Sequence, residues 1–266
     1  MSDALQPPER NALIRGDALA TMRGWPDDCV DHCIADPPFN MSKRRGLGWA
    51  FSSHVTMAES WDRFGDDEFF RFNVEWLHEV CRVVKPNGNI LVFGTYHNIY
   101  QLGFILQSGL NRRVLNSIVW YKPNAQPNIT ARMLAESTEQ LVWAVNGTPD
   151  GPGKASGWQF NYWEAKALNG DKQMRNLWEF PVTPKGERSL GRHPSQKPLA
   201  LVERLVQVGT APGDLILDPF GGAGTLALAS ERHGRDWVLV EQTEEYASLT
   251  EARLAEDRRR RAEAGE

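Results

Sequence analysis

Short apolar runs alternate with longer amphipathic segments along most of the chain. Apolar runs of about four to eight residues are typical of buried strands, whereas longer segments with apolar residues three and four positions apart are typical of helices. When the two kinds of segment alternate, the pattern favours a mostly parallel, twisted sheet with helices on both faces. The sequence therefore predicts an α/β fold, formed by a single domain over residues 1–266.

The apolar pattern also gives the bounds of the elements. The predicted strands are Asn11–Arg15, Cys29–Ala35, Asn89–Gly94, Ser117–Tyr121, Glu139–Val145, Leu215–Leu217 and Asp236–Glu241. The predicted helices are Ala18–Met22, Asp67–Val84, Ile99–Ser108, Leu199–Val208, Thr225–His233 and Glu244–Ala262.

Two segments interrupt the alternation. Residues 40–66 carry glycine, serine, basic and aromatic residues without a clear period, so we expect them to form a long mobile loop. Loops of this length inside a compact domain are usually functional. Residues 147–192 are rich in glycine, proline, tryptophan and charge, which indicates a small inserted region.

Composition narrows the function classes. The chain has 266 residues, 41% of them hydrophobic, which is enough for a substantial core. The net charge of −4 argues against a uniformly basic protein, although local clusters can still bind phosphates. Three cysteines make no disulfide framework, and no metal site is expected. No apolar run approaches the roughly 18 residues of a membrane span, so we expect a cytoplasmic protein with no membrane partner.

The stretch ADPPFN, residues 35–40, directly follows a predicted strand. Two consecutive prolines cannot continue a strand ladder, and each fixes φ near about −65°, so the chain leaves the sheet in one rigid shape. The turn holds a carboxylate, Asp36, and an aromatic ring, Phe39, at the end of that strand. Taken alone, the motif is equally consistent with a turn that only ends a strand.

A second motif, DPFGGAGT at residues 218–225, is a glycine turn between a strand and a helix. Glycines let a ligand approach the backbone and the open N-terminus of the helix. Glu241 ends the next strand, where an acidic residue commonly binds ribose hydroxyls. The GxGxxG fingerprint of dinucleotide sites is absent, which favours a nucleoside cofactor without pyrophosphate over NAD.

Three motifs in this order, DPPF at 36–39, HPSQKP at 193–198 and DPFGGAGT at 218–225, resemble the beta-class DNA amino-methyltransferases that use S-adenosylmethionine. The resemblance runs through nearly the whole chain and implies a Rossmann-like methyltransferase fold. It also implies that residues 147–192 are the target-recognition region, where Trp158, Trp163 and Trp178 are either core residues or base contacts.

The resemblance also implies site residues. For the cofactor they are Asp17, Asp36, Ser195, Lys197, Asp218, Phe220, Gly222, Gly224, Thr225 and Glu241. Asp17 would contact the cofactor adenine, and an N-cap of the following helix is an equally good interpretation. Ser195 and Lys197 would bind the methionine carboxylate.

For catalysis the motif Asp36, Pro37, Pro38 and Phe39 is expected to act on an exocyclic amine. Asp36 and the Pro37 carbonyl would each accept an amino hydrogen, and Phe39 would stack a base flipped out of the duplex. The expected DNA contacts are Lys43, Arg44, Arg45, Tyr121, Lys122 and Asn124.

The choice of target base rests on the head of the catalytic motif. Cytosine C5 methylation is disfavoured because that reaction needs a cysteine nucleophile, typically in a Pro-Cys loop, and none of the three cysteines follows a proline. Aspartate at the head of this motif usually marks adenine N6 in the family, whereas serine marks cytosine N4, which stays an alternative. Methylation of RNA or of a protein glutamine is disfavoured. In the enzymes for those substrates the cofactor turn usually precedes the catalytic motif, whereas here it follows the motif. A catalytically silent DNA-binding protein and a nicotinamide oxidoreductase are the rivals of other classes. DNA is the expected partner, and a homodimer and a cognate restriction enzyme are compatible with the family.

Overall fold

The computed structural model describes residues 5–41, 60–128 and 132–265. The strands are β1 (Ala12–Arg15), β2 (His32–Ala35), β3 (Asn89–Gly94), β4 (Arg113–Tyr121), β5 (Thr138–Val145), β6 (Leu177–Glu179), β7 (Leu215–Asp218) and β8 (Asp236–Glu241). The helices are α1 (Ala18–Arg23), α2 (Asp66–Val83), α3 (Ile99–Phe104), α4 (Tyr162–Ala167), α5 (Leu199–Gly209), α6 (Thr225–Arg232) and α7 (Glu244–Ala264). Short 3-10 turns occupy Ser60–Asp62 and Lys185–Arg188, and a π turn, Ile105–Gly109, continues α3.

The described residues form one eight-stranded sheet in the order β1-β8-β7-β2-β3-β5-β4-β6. Strands β1, β8, β7, β2 and β3 are parallel to one another, and β6 is parallel to β4. Only β5 runs against its two neighbours, β3 and β4. The prediction of a mostly parallel α/β sheet is confirmed.

Helices pack on both faces because consecutive residues of the central strands point in opposite directions. In β3, Leu91 and Phe93 belong to the apolar cluster that contains α5 and α6, whereas Ile90 and Val92 belong to the cluster with α1, α2 and α3. All six residues of β3 are buried, as expected for a strand covered on both sides.

The strand order reverses between β2 and β7, since the chain passes from β2 to β3 on one side and from β7 to β8 on the other. In open α/β sheets, ligands bind at the carboxyl ends of the strands where the order reverses. The register pairs Cys33 with Leu217, so the chain leaves β2 and β7 side by side at Asp36 and Asp218. The fold thus brings the proline motif and the glycine turn together.

Several predicted element bounds differ from the structure. Strand β4 begins at Arg113 rather than at the predicted Ser117, because it continues to pair with β5 beyond a register shift between Val114 and Asn116. The strand predicted from Cys29 begins at His32, because the Cys29 and Val30 amides donate to the Val83 carbonyl at the end of α2. The helix predicted through Ser108 becomes a π turn after Phe104. Within 147–192, α4 and the edge strand β6 were not predicted. The domain interpretation of residues 40–66 and 147–192 stays a prediction. No described helix is both long enough and apolar enough to cross a membrane.

Candidate active site

The proline motif lies at the carboxyl end of β2 and is held at both ends. At its start Asp36 follows the last residue of the strand. At its end the Asn40 and Met41 amides donate to the two carboxylate oxygens of Asp62, at 2.5 and 2.8 Å. Asn40 adopts a positive φ of 57°, and its side-chain oxygen accepts from the Phe64 amide at 2.9 Å. Asp62 was not predicted as a site residue, and it lies in a segment without any periodic pattern.

The two oxygens of the Asp36 carboxylate differ in their contacts. Its Oδ2 accepts a hydrogen bond from the Lys197 ammonium at 2.6 Å, whereas its buried Oδ1 has no hydrogen-bond partner among the described residues. Pro38 lines the cleft beside Asp36. Pro37 and Phe39 are buried, with the Phe39 ring centre 5.1 Å from the Lys197 ammonium. The motif therefore holds one buried carboxylate oxygen, Asp36 Oδ1, that is unpaired among the described residues.

The glycine turn between β7 and α6 packs tightly against its surroundings. Gly222 and Gly224 adopt positive φ values of 51° and 70°, which only glycine accommodates readily. The Thr250 hydroxyl donates to the Gly222 carbonyl at 2.9 Å, and Arg253 donates to the Ala223 carbonyl. Arg253 also donates to the Thr225 hydroxyl at 3.2 Å. Helix α7 thus fixes the shape of the turn from behind.

Glu241 ends β8 opposite this turn and orders two backbone amides. Its Oε2 accepts from the Gly222 amide at 2.8 Å, and its Oε1 accepts from the Thr243 amide at 2.7 Å. A carboxylate offers about four acceptor sites on its two oxygens, and Glu241 also lines the cleft. The carboxylate can therefore hold the turn and still accept from a ligand hydroxyl.

The two motifs line one cleft of about 400 Å³ at the carboxyl edge of the sheet, a size within the usual range of small-molecule sites. Of the predicted cofactor residues, those that line it are Asp17, Asp36, Ser195, Lys197, Asp218, Phe220, Gly222, Thr225 and Glu241. Gly224 does not line the cleft, and its positive φ allows the backbone of the turn to adopt its shape. Asp17 also caps α1, its side chain accepting from the Ala20 amide at 2.8 Å, which confirms the N-cap, whereas its contact with the cofactor adenine stays a prediction.

Aromatic side chains form the remaining walls of the cleft. Phe220 meets Trp76 edge to face at 5.2 Å between ring centres. On the other side His193 lies between Trp61, stacked at 6.0 Å, and Tyr246, edge on at 4.3 Å. Burial lowers the pKa of His193 to about 3, and the Lys197 and Arg253 cations act in the same direction, so His193 is a neutral wall. Sequence analysis did not predict Trp61 or Tyr246 for the site.

The electrostatics of the cleft favour a cation. Burial above all, with the neighbouring Asp36 and Glu241 carboxylates acting in the same direction, raises the pKa of Asp218 to about 8. Burial likewise raises the pKa of Asp36 to about 6 and raises that of Glu241. A positively charged ligand would relieve the repulsion among these three carboxylates. A sulfonium with a ribose and a methionine ammonium suits such a set of oxygens.

The predicted DNA contacts are only partly described. Lys43, Arg44 and Arg45 lie outside the described residues. Tyr121 is 38% exposed at the end of β4. Lys122 pairs with Glu139 at 3.1 Å, and the Asn124 side-chain oxygen accepts from the Val182 amide at 2.9 Å. Trp178 is a buried core residue of β6, whereas Trp163 is largely exposed. The DNA-binding roles stay predictions.

The sheet is doubly wound, and at the point where its strand order reverses, the glycine turn and the proline motif line one cleft. This is the architecture of S-adenosylmethionine-dependent methyltransferases. Comparison with known families narrows this class. Residues 30–252 match the DNA methylase family of N6 and N4 methyltransferases, and the chain belongs to this family. It is a DNA amino-methyltransferase, and S-adenosylmethionine is its methyl donor. The resemblance inferred from the motifs is confirmed.

Individual relatives cover most of the chain. It is 35% identical over 249 residues to the Type II methyltransferase M2.MboI of Moraxella bovis, a match that covers 92% of this chain and 87% of the relative. It is 34% identical over 245 residues to the Type II methyltransferase M2.DpnII of Streptococcus pneumoniae, covering 91% and 88%.

Solved structures agree with this placement. The complex of M1.HpyAVI with S-adenosylmethionine is 26% identical, with a TM-score of 0.67, and the match covers 91% of this chain and 98% of that one. The cytosine-N4-specific PvuII DNA methyltransferase superposes with a TM-score of 0.72 over 93% of this chain and 87% of its own, at 17% identity. The second likeness shows the fold alone.

The placement of Glu241 predicts a cofactor-binding defect. We expect Glu241→Ala to weaken S-adenosylmethionine binding about 10- to 100-fold, because charged hydrogen bonds contribute about 1.5–3 kcal/mol. Isothermal titration calorimetry gives the affinity directly. The matched control is Asp236→Asn at the other end of β8, where the carboxylate pairs with Arg10 away from the cleft. Unchanged affinity in Glu241→Ala would contradict the assigned role in ribose binding.

Proposed function

We propose that the chain methylates adenine at N6, by direct transfer to a base flipped out of DNA. The observation that carries the proposal is the divided Asp36 carboxylate. Asp36 lines the cofactor cleft; one of its oxygens is held by Lys197, while the other is buried and unpaired among the described residues. A buried acceptor without a partner is costly unless a ligand supplies the donor.

An exocyclic amine is a poor nucleophile because its lone pair is delocalised into the base. Bound S-adenosylmethionine supplies an electrophilic methyl group, so the protein needs to localise that lone pair and align it with the methyl. Asp36 Oδ1 accepts one amino hydrogen, and the Pro37 carbonyl, oriented by the two prolines, accepts the other. Together they draw the nitrogen toward a tetrahedral shape and direct its lone pair.

The same arrangement accounts for the proton released by the reaction. Once the methyl is attached, the amino nitrogen of the base is positively charged and must lose one hydrogen as a proton. Asp36, whose pKa burial raises to about 6, is a stronger base than an ordinary aspartate and can accept that hydrogen at neutral pH. Asp218, Glu241 and the glycine turn hold the cofactor in this proposal, and Phe39 stacks the flipped base.

Adenine is preferred to cytosine because aspartate rather than serine heads the motif. Cytosine N4 is the second candidate, since its exocyclic amine needs the same two acceptors. A homodimer, a cognate restriction enzyme and a target-recognition role for residues 147–192 also stay proposals.

The test is product analysis. Purified protein is incubated with mixed-sequence DNA and S-adenosylmethionine carrying a labelled methyl, and the digested nucleosides are separated by mass spectrometry. We expect N6-methyladenine, and none when Asp36→Ala replaces the wild type. Detection of N4-methylcytosine instead would show that cytosine is the target base, and the proposed amine chemistry would still stand. Labelled RNA or protein with unlabelled DNA would overturn the proposal.

A further inference from the structure

Lys197, in the HPSQKP segment, is enclosed by two carboxylates from two different strands. Its ammonium lies 2.6 Å from Asp36 Oδ2, at the end of β2, and 3.4 Å from Glu139 Oε2, on β5. A third contact runs to the Ser195 carbonyl at 3.2 Å. The Lys197 side chain is only 6% exposed, so solvent screens these charges little.

Topology explains why Glu139 reaches this place. Strand β5 runs antiparallel to β3, so its first residues lie at the sheet edge where the parallel strands end. Glu139 is the second residue of β5 and pairs in register with Trp120 of β4. It stands behind Lys197 and does not line the cleft.

Glu139 is itself held in position. Its Oε1 accepts from the Lys122 ammonium at 3.1 Å, and that ammonium lies 5.2 Å from the centre of the Trp120 ring. Its Oε2 is buried and forms no hydrogen bond with any described residue, so its contact with Lys197 is one of charge. The Lys197 ammonium therefore contacts two largely buried carboxylates, those of Asp36 and Glu139.

This sharing decides how much negative charge Asp36 retains. Lys197 alone would neutralise Asp36 and leave it a weak hydrogen-bond acceptor. Without Lys197, burial beside Asp218 and Glu139 would favour the protonated carboxyl, which cannot accept an amino hydrogen at both oxygens. The two neighbours act in opposite directions on the same group.

We propose that Glu139 is a positioning residue for methyl transfer: it shares the Lys197 ammonium with Asp36, so that Lys197 neutralises Asp36 less and Asp36 stays the stronger base and hydrogen-bond acceptor. The proposal rests on the proposed amine chemistry, and it places Lys197 on the catalytic carboxylate rather than on the cofactor alone. The direction of the electrostatic effects agrees: burial raises the pKa of Asp36, Lys197 lowers it, and Glu139 raises it. Asp218, at the end of the adjacent strand, is the other titratable group that interacts with Asp36.

The proposal predicts shifts of opposite sign in two variants. Glu139→Gln removes a negative neighbour at constant shape, so the apparent pKa of Asp36 should fall by about one unit. Lys197→Met removes the positive neighbour, so the apparent pKa should rise. Carbon-13 NMR titration of labelled aspartates in the free protein measures both shifts, with Asp36→Asn identifying the resonance. This measurement needs no DNA and no turnover.

Kinetics supply the second measurement. In Glu139→Gln, single-turnover transfer at saturating cofactor should fall about tenfold, while S-adenosylmethionine affinity changes less than about twofold. Glu139→Asp keeps the charge and should restore most of the rate. The matched control is Glu79→Gln, a buried carboxylate paired with Arg82 at 2.7 Å on α2, and it should change neither quantity. Thermal unfolding is recorded for every variant.

Two outcomes overturn the inference. One is an unchanged or raised Asp36 pKa in Glu139→Gln. The other is a normal transfer rate in that variant. Wild-type protein that transfers no methyl to DNA would instead overturn the proposed function, and the NMR shifts would still test the charge sharing.

Discussion

Asp36→Asn is expected to abolish nearly all methyl transfer, by at least about 10²- to 10³-fold, the usual loss when one oriented polar group of a reaction site is removed. Asparagine keeps the shape of the side chain but replaces one acceptor oxygen by an NH₂ donor. In the proposed mechanism Oδ1 accepts the amino hydrogen, whereas in the structure Oδ2 accepts from Lys197 and Oδ1 is unpaired among the described residues. The variant loses either the acceptor or the anchor, whichever way the amide is oriented.

Cofactor binding should survive in Asp36→Asn, with affinity for S-adenosylmethionine within about tenfold of the wild type, because the glycine turn and Glu241 remain. Transfer is measured in single turnover on duplex and on single-stranded DNA. The matched control is Asp236→Asn at the start of β8, where the carboxylate pairs with Arg10 and does not line the cleft. Substantial transfer by Asp36→Asn on either substrate would remove Asp36 from the chemistry.

The parts of the site that the sequence predicts are those that follow from strand ends. Asp36, Asp218 and Glu241 each come at or directly after the end of a parallel strand, and parallel strands end at one edge of the sheet. The pattern of apolar runs therefore predicts that these carboxylates meet. The glycine turn is predictable for the same reason, since it directly follows β7.

The parts that escaped prediction depend on contacts between distant segments. Lys197 is 161 positions from Asp36, and nothing local indicates which carboxylate its ammonium meets. Glu139 reaches the site only because β5 is antiparallel, a reversal that the apolar pattern does not reveal. Strand β6 is three residues long with a single buried side chain, Trp178, which is too short to show a period. Asp62 fixes the proline motif from an unpatterned segment.

Gly224→Ala is expected to destroy cofactor binding and to destabilise the fold. Gly224 adopts a φ of 70°, and an added Cβ would lie 2.5 Å from Thr250 Cγ2 and 2.8 Å from Thr250 Oγ1. The left-handed backbone costs an alanine about 1–2 kcal/mol, and crowding a packed contact costs about 1–3 kcal/mol more. Relief of the clash requires the turn or α7 to move, and the turn presents its backbone to the cofactor. We expect S-adenosylmethionine affinity to fall by more than about 100-fold in calorimetry.

Gly234→Ala separates steric crowding from backbone strain. Gly234 has nearly the same φ, 68°, but an added Cβ would meet nothing within 4 Å. It should therefore lower the melting temperature only slightly and leave cofactor affinity unchanged. The double variant Gly224→Ala with Thr250→Ser removes the closest methyl and keeps the hydroxyl that donates to the Gly222 carbonyl, so it should recover part of the affinity. Equal damage from both glycine substitutions would mean that backbone strain, rather than the contact between the turn and α7, shapes the cofactor site.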